Sequence, residues 1–180
     1  TLEALKVYGS EGDDLFKVTA AGIPIFIDGG DPIGGGTRGD VLNLLAGGAS
    51  VVLNAGPPID EGSLVAGDNA PVSYDRIEAL GALTVDVATI NATNDADAIT
   101  IIARSNTTAY PALIGKTPGV KDFTVSVNDG IEVLFVDTPT LIVNALGGSD
   151  EITVRTPAAL ATGDWDVDVT INGGTPSARS

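Results

Sequence analysis

Apolar and polar residues alternate along this chain in short bursts. Four segments share one register: Gly12-Asp-Asp-Leu-Phe-Lys-Val18, Arg38-Gly-Asp-Val-Leu-Asn-Leu44, Asp95-Ala-Asp-Ala-Ile-Thr-Ile101 and Gly148-Ser-Asp-Glu-Ile-Thr-Val154. Each has Asp in third place and apolar residues in fifth and seventh. That is the period of a strand with one buried face. A second pattern is a short strand ending in Asn or Asp before a small residue. It occurs at Ile25–Asp28, Val51–Asn54, Ala88–Asn91, Leu141–Asn144 and Val169–Asn172. Asn and Gly tolerate the left-handed conformation, so these ends are expected to be sharp corners. No segment has the period of an amphipathic helix.

The patterns repeat. Leu5–Val18 and Leu141–Val154 match at a constant offset of 136. The anchor aspartates Asp14, Asp40, Asp97 and Asp150 are spaced by 26, 57 and 53 residues. The wider intervals are near twice the first, which suggests weaker copies at Asp68 and Asp122. A step of about 27 residues is one coil of a solenoid, whose apolar face is buried only by stacking. The expected fold is all-β, a right-handed parallel β-helix of about six coils with roughly three strands in each. An antiparallel β-sandwich is the alternative. Residues 1–180 are read as a single repeat-type domain and a fragment of a longer chain.

Composition supports strands and turns. The chain has 18 Val, 15 Ile and 18 Thr, residues that suit pleated strands. Its acidity comes from 18 Asp and only 6 Glu, and Asp favours turns. It has no His, Cys or Met and a net charge of −15. A disulfide framework, a Cys/His zinc site, a Ser-His-Asp triad and a thiol nucleophile are thereby excluded. The charge argues against a nucleic-acid partner, and no apolar run is long enough for membrane insertion. Hard cations remain suitable partners.

Gly9-Ser-Glu-Gly-Asp-Asp-Leu-Phe-Lys17 resembles the hemolysin-type (RTX) calcium-binding nonapeptide, with Gly9, Gly12, Asp14 and Phe16 in place. Gly35–Asn43 fits at Gly35, Gly36, Asp40 and Leu42, and the last copy at Gly148, Asp150 and Ile152. Asp97 and Ile99 survive in the third. Tyr74-Asp-Arg-Ile-Glu-Ala-Leu80 resembles the lead-in found before degenerate repeats of this kind in large bacterial surface proteins. The resemblance implies an extracellular or cell-surface setting. The nonapeptides stand singly here, so it implies ions at individual corners and not the calcium array of tandem repeats.

The candidate metal ligands are Asp13, Asp14, Asp40, Asp97, Asp150 and Glu151, with Ca2+ as the ion. Stacked coils bring carboxylates on neighbouring rungs to about 5 Å, where two charges repel by roughly 3 kcal/mol at an effective dielectric near 20. A bridging calcium turns that repulsion into cohesion. The other reading of the same aspartates is that they cap backbone N–H groups. Asp164-Trp-Asp-Val-Asp168 starts like an EF-hand loop but has Val169 at the Gly position, and reads better as a strand face with Trp165 and Val167 inward. Arg38-Gly39-Asp40 is explained by the repeat and not by cell adhesion. The functional expectation is a non-enzymatic structural module, calcium-stiffened, stacking head-to-tail on neighbouring repeats or copies of itself. A carbohydrate-binding or polysaccharide-cleaving β-helix, with a surface polysaccharide as partner, is the alternative.

Overall fold

The computed structural model describes residues 2–31, 39–56, 60–104, 119–155 and 165–175. Among the described residues, fifteen strands follow one another. They are β1 (Leu5–Tyr8), β2 (Leu15–Val18), β3 (Ile25–Asp28), β4 (Val41–Leu45) and β5 (Val51–Ala55). Next come β6 (Gly62–Ala66), β7 (Val72–Asp75), β8 (Ala79–Leu83), β9 (Val87–Asn91) and β10 (Ala98–Ala103). The last are β11 (Phe123–Val127), β12 (Val133–Val136), β13 (Thr140–Asn144), β14 (Glu151–Arg155) and β15 (Asp168–Asn172). Among the described residues there is no helix long and apolar enough to cross a membrane.

The strands form two sheets. One has eight strands in the order β1-β3-β7-β6-β5-β9-β13-β15, the other seven in the order β14-β10-β11-β12-β8-β4-β2. The chain repeatedly places a strand in the first sheet, turns a corner, and places the next in the second. Only β6 and β11 run antiparallel to their neighbours; every other pairing among the described strands is parallel. Both antiparallel strands have one origin. The chain skips ahead, then folds back through β5-β6-β7 in one sheet and β10-β11-β12 in the other, filling the skipped places.

Inward side chains stack in register between the sheets. Leu53, Ile90 and Val143 form one row across β5, β9 and β13, which Ile171 of β15 continues at the exposed edge. Leu44, Ala82 and Phe135 form another, in which small Ala82 makes room for the ring beside it. Phe135 stacks on Phe123 at 5.3 Å, and Trp165 meets Phe123 edge-on at 6.1 Å. Aliphatic rows and this aromatic cluster let a chain poor in aromatics close a core, because in-register stacking wastes little volume.

The all-β expectation is met; the finer architecture differs. The sheets are mixed and do not close on one another, so the six-coil parallel β-helix is not what these strands display. The antiparallel sandwich is not met either, because the pairings are mostly parallel. The 53-residue interval does not contain a hidden coil. Ala98 of β10 pairs directly with Glu151 of β14, so Asp97 and Asp150 immediately precede adjacent strands, and the described strands added in the interval are the returning β11 and β12. Asp68 lies exposed in the β6–β7 turn, and Asp122 is buried just before β11. The 136-residue repeat is real in three dimensions. Ser10 and Leu146 both have left-handed backbones (φ 77° and 62°), and Gly12 and Gly148 match at 121° and 123°.

Candidate functional site

The corner between β1 and β2 lies beside the corner between β3 and β4. The N–H of Asp14 donates to Oδ1 of Asp40 at 2.7 Å. The N–H of Asp40 donates in turn to Oε2 of Glu78 at 2.5 Å, where the β7–β8 turn supplies the third step. Carboxylates therefore cap the backbone of the preceding rung and not their own turn. Close packing makes this possible: a methyl group on Gly39 would meet the Glu78 side chain at 2.5 Å.

These bonds use one oxygen of each aspartate. Oδ2 of Asp14 and Oδ2 of Asp40 are buried and have no hydrogen-bond partner. Asp40 is fully buried. Each free oxygen abuts a glycine: a methyl on Gly9 would lie 2.7 Å from Asp14 Oδ2, and one on Gly29 2.6 Å from Asp40 Oδ2. The Gly29 carbonyl borders the first space and the Arg76 carbonyl the second. Burial raises the Asp40 pKa above its ordinary 3.8, and the Asp14, Asp13 and Asp28 carboxylates add to it, against the lowering effect of the Asp14 N–H. Asp13 itself is exposed. Nearby, Arg76 holds Asp28 through two bonds, Nε at 2.9 Å and Nη2 at 2.5 Å. That cation is engaged by Asp28 and, at 3.8 Å, by Asp31, and among the described residues no salt bridge reaches Asp14 or Asp40.

The corner at Asp97 is different. Its N–H donates to Asp150 Oδ1 at 3.0 Å, repeating the rung-to-rung cap. The Asp97 carboxylate, however, accepts from the Thr93 N–H (2.9 Å), the Thr93 hydroxyl (3.0 Å) and Asn128 Nδ2 (2.6 Å). It is satisfied by protein donors. Glu151 is exposed. The six predicted ligands thus divide into an under-partnered pair, Asp14 and Asp40 with Asp13 at its margin, and the remainder, which the fold already uses or leaves in solvent. Among the described residues no three acidic side chains converge as a metal cluster.

The left-handed residue of the corner lies two positions beyond the strand end in three of the five cases, at Gly30, Leu146 and Gly174, and not at the Asn itself. None of Asn54, Asn91, Asn144 and Asn172 has positive φ. Their side chains form a ladder instead: Asn172 Nδ2 donates to Asn144 Oδ1 (2.8 Å), Asn144 to Asn91 (2.9 Å), and Asn91 to Asn54 (3.0 Å). The recurrence of Asn at one strand position was the signal for it. Glu78 and Arg76 stood in the Tyr74–Leu80 lead-in and Asp28 at a strand end, but nothing in the sequence signalled the bonds they make.

Of the other motifs, Trp165 and Val167 pack on the core while Asp166 and Asp168 face solvent, as the alternation predicts. Asp164 lies outside the described residues, as do Arg38 and the segment 105–118. Asp40 of the Arg-Gly-Asp tripeptide is fully buried, which removes it from any adhesive surface. No protein-family model, curated protein or solved structure matches this chain.

Proposed function

We propose that this chain is a non-catalytic, extracellular structural and assembly module whose stacked corners are stiffened by calcium. In this reading the strands wind as a flattened solenoid, interrupted where β6 and β11 fold back. The observation that carries it is the pair of buried, unpartnered oxygens on Asp14 and Asp40. Two carboxylates on adjacent rungs are costly without a proton or a cation between them. Calcium accepts carboxylate and carbonyl oxygens in flexible geometry; the Gly29 carbonyl lies beside the Asp14 space and the Arg76 carbonyl beside the Asp40 space. Weak calcium sites of this kind suit an extracellular module, where the ion is abundant. The ligands favoured are Asp14 and Asp40, with Asp13 reaching from the exposed side. Neighbouring repeats or copies of the chain are the partners such a module takes.

The test is a thermal melt with excess calcium and with a chelator. An ion at about 100 times its Kd adds about 2.7 kcal/mol, a rise of roughly 5–10 °C for a chain of this size. Asp40→Asn should abolish that rise. Equal melting temperatures in calcium and chelator would remove the calcium reading.

A further inference from the structure

We propose that a second copy of this chain docks head-to-tail, with β15 of one copy pairing in parallel with β1 of the next. The proposal rests on the assembly reading above and specifies its contact. The molecule carries the same strand-corner-strand unit twice, as β1–β2 and as β13–β14. In both, the following rung fits the same way: the Asp31 N–H donates to the Ser10 carbonyl at 3.0 Å and the Thr175 N–H to the Leu146 carbonyl at 3.1 Å. The preceding rung differs. The β13–β14 unit is covered on that side by β9 and β10, and a methyl on Gly148 would strike the Asp95 carbonyl at 2.2 Å. The β1–β2 unit has no such cover among the described residues, and nothing lies within 4 Å of the same position on Gly12. An open apolar groove of about 400 Å³ remains there, bordered by Leu5, Val7, Leu15 and Phe16. Leu5 is 42% and Leu15 54% exposed.

What covers the equivalent edge inside the chain identifies the occupant. The strand seated on β13 is β9, ending Thr89-Ile90-Asn91. The chain has a second strand with that ending, Thr170-Ile171-Asn172 of β15, whose outer edge is free among the described residues, with Ile171 44% exposed. Repeating the β9–β13 register sets Val169 beside Leu5, Thr170 beside Lys6 and Ile171 beside Val7. The backbone allows it. Asp168 N–H and the Asn172 carbonyl bond to the β13 side, so by alternation the Val169 and Ile171 groups face outward. Leu5 and Gly9 donate to the β3 side, so those of Lys6 and Tyr8 face outward. Charge also fits: Lys6 approaches the exposed Asp168. The joint is made by the eight-stranded sheet alone, because the seven-stranded sheet ends one strand short. Association is therefore weak, opposed by the net charge of −15 and favoured by salt.

Sedimentation of the full chain over a concentration series at low salt and at about 1 M salt, where the screening length is about 3 Å, reads the contact. The expected result is a weight-average mass rising above 18.1 kDa, more steeply in high salt. Ile171→Pro removes an outward N–H and no bond to β13, so it should melt like the parent chain and stay monomeric. In a chain without cysteine, Lys6→Cys with Thr170→Cys should oxidise to a ladder of covalent multimers, and Lys6→Cys alone should stop at dimers. A parent chain that stays at 18.1 kDa throughout, or an Ile171→Pro chain that associates equally, overturns the joint. The calcium melt is read separately: a calcium-dependent rise without association removes the joint and leaves the calcium reading standing.

Discussion

Asp14 and Asp40 are joined twice over, once to their benefit and once to their cost. The Asp14 N–H is bonded to Asp40 Oδ1 at 2.7 Å, while the second oxygen of each carboxylate is buried without a donor, that of Asp14 beside Gly9 and that of Asp40 beside Gly29. Asp40→Asn keeps an acceptor for the N–H and deletes a charge. In chelator at pH 7 it should raise the melting temperature by about 2–4 °C, corresponding to about 1 kcal/mol. Asp40→Ala, which also deletes the acceptor, should lower it. A lower melting temperature for Asp40→Asn would contradict the repulsion described.

The same pair sets a pH dependence. The Asp40 pKa is raised in the folded chain, so between 3.8 and the folded value the native state binds more protons than the unfolded state. Its contribution is favourable below that window and is lost as pH rises through it. The stability advantage of Asp40→Asn over the parent chain should therefore grow from about pH 4 to pH 7 in calcium-free buffer. Paired denaturant titrations at several pH values measure it, and a constant difference would refute it.

Asn144 both accepts and donates in the amide ladder, so Asn144→Ala strands two partners. It should cost about 1–3 kcal/mol in urea unfolding. Asn172→Ala removes only the exposed terminal step and should cost less. Equal losses would mean that the ladder adds nothing at its centre.

Gly12 and Gly148 share a backbone conformation and differ in cover. Alanine at either pays backbone strain of about 1–3 kcal/mol. At Gly148 the new methyl also meets the Asp95 carbonyl at 2.2 Å, so Gly148→Ala should be clearly the more destabilising in the same unfolding series. A reversed order would argue against the covered corner.

Phe123 packs between Phe135 and the single Trp165. Phe123→Ala should cost about 3–5 kcal/mol. In the folded variant, tryptophan emission should shift to the red as water reaches the ring; unchanged emission would contradict this packing.

Nine strands stood out in the alternation, among them β3, β5, β9, β13 and β15 with their Asn or Asp ends. The arrangement of the others did not. A strand's alternation tells which face is buried and carries nothing about direction within the sheet. The skip-and-return paths through β6 and β11 were therefore invisible, and spacing alone suggested a coil at Asp122 where the fold has a returning strand. Asp14 and Asp40 could be singled out because the repeat places them in register. Glu78 was noticed only within the Tyr74–Leu80 lead-in and its role could not be read, since its partner is a backbone N–H 38 residues away, and every residue but proline carries such a group. The corners and the Asn positions were both visible, but the left-handed turn falls on Gly30, Leu146 and Gly174 while the Asn side chains bond laterally.

The amide ladder also has a sense. Every step donates toward β5, where Asn54 Nδ2 ends on the Ser63 hydroxyl at 3.4 Å, so every side-chain oxygen points toward β15. The row is a line of aligned dipoles, and at its β15 end it offers an oxygen that only a donor can satisfy. Two such ends brought together would set oxygen against oxygen. The molecule thus carries an arrow along its stacking axis, drawn in side chains, which penalises mirror-image joining before any apolar surface is buried.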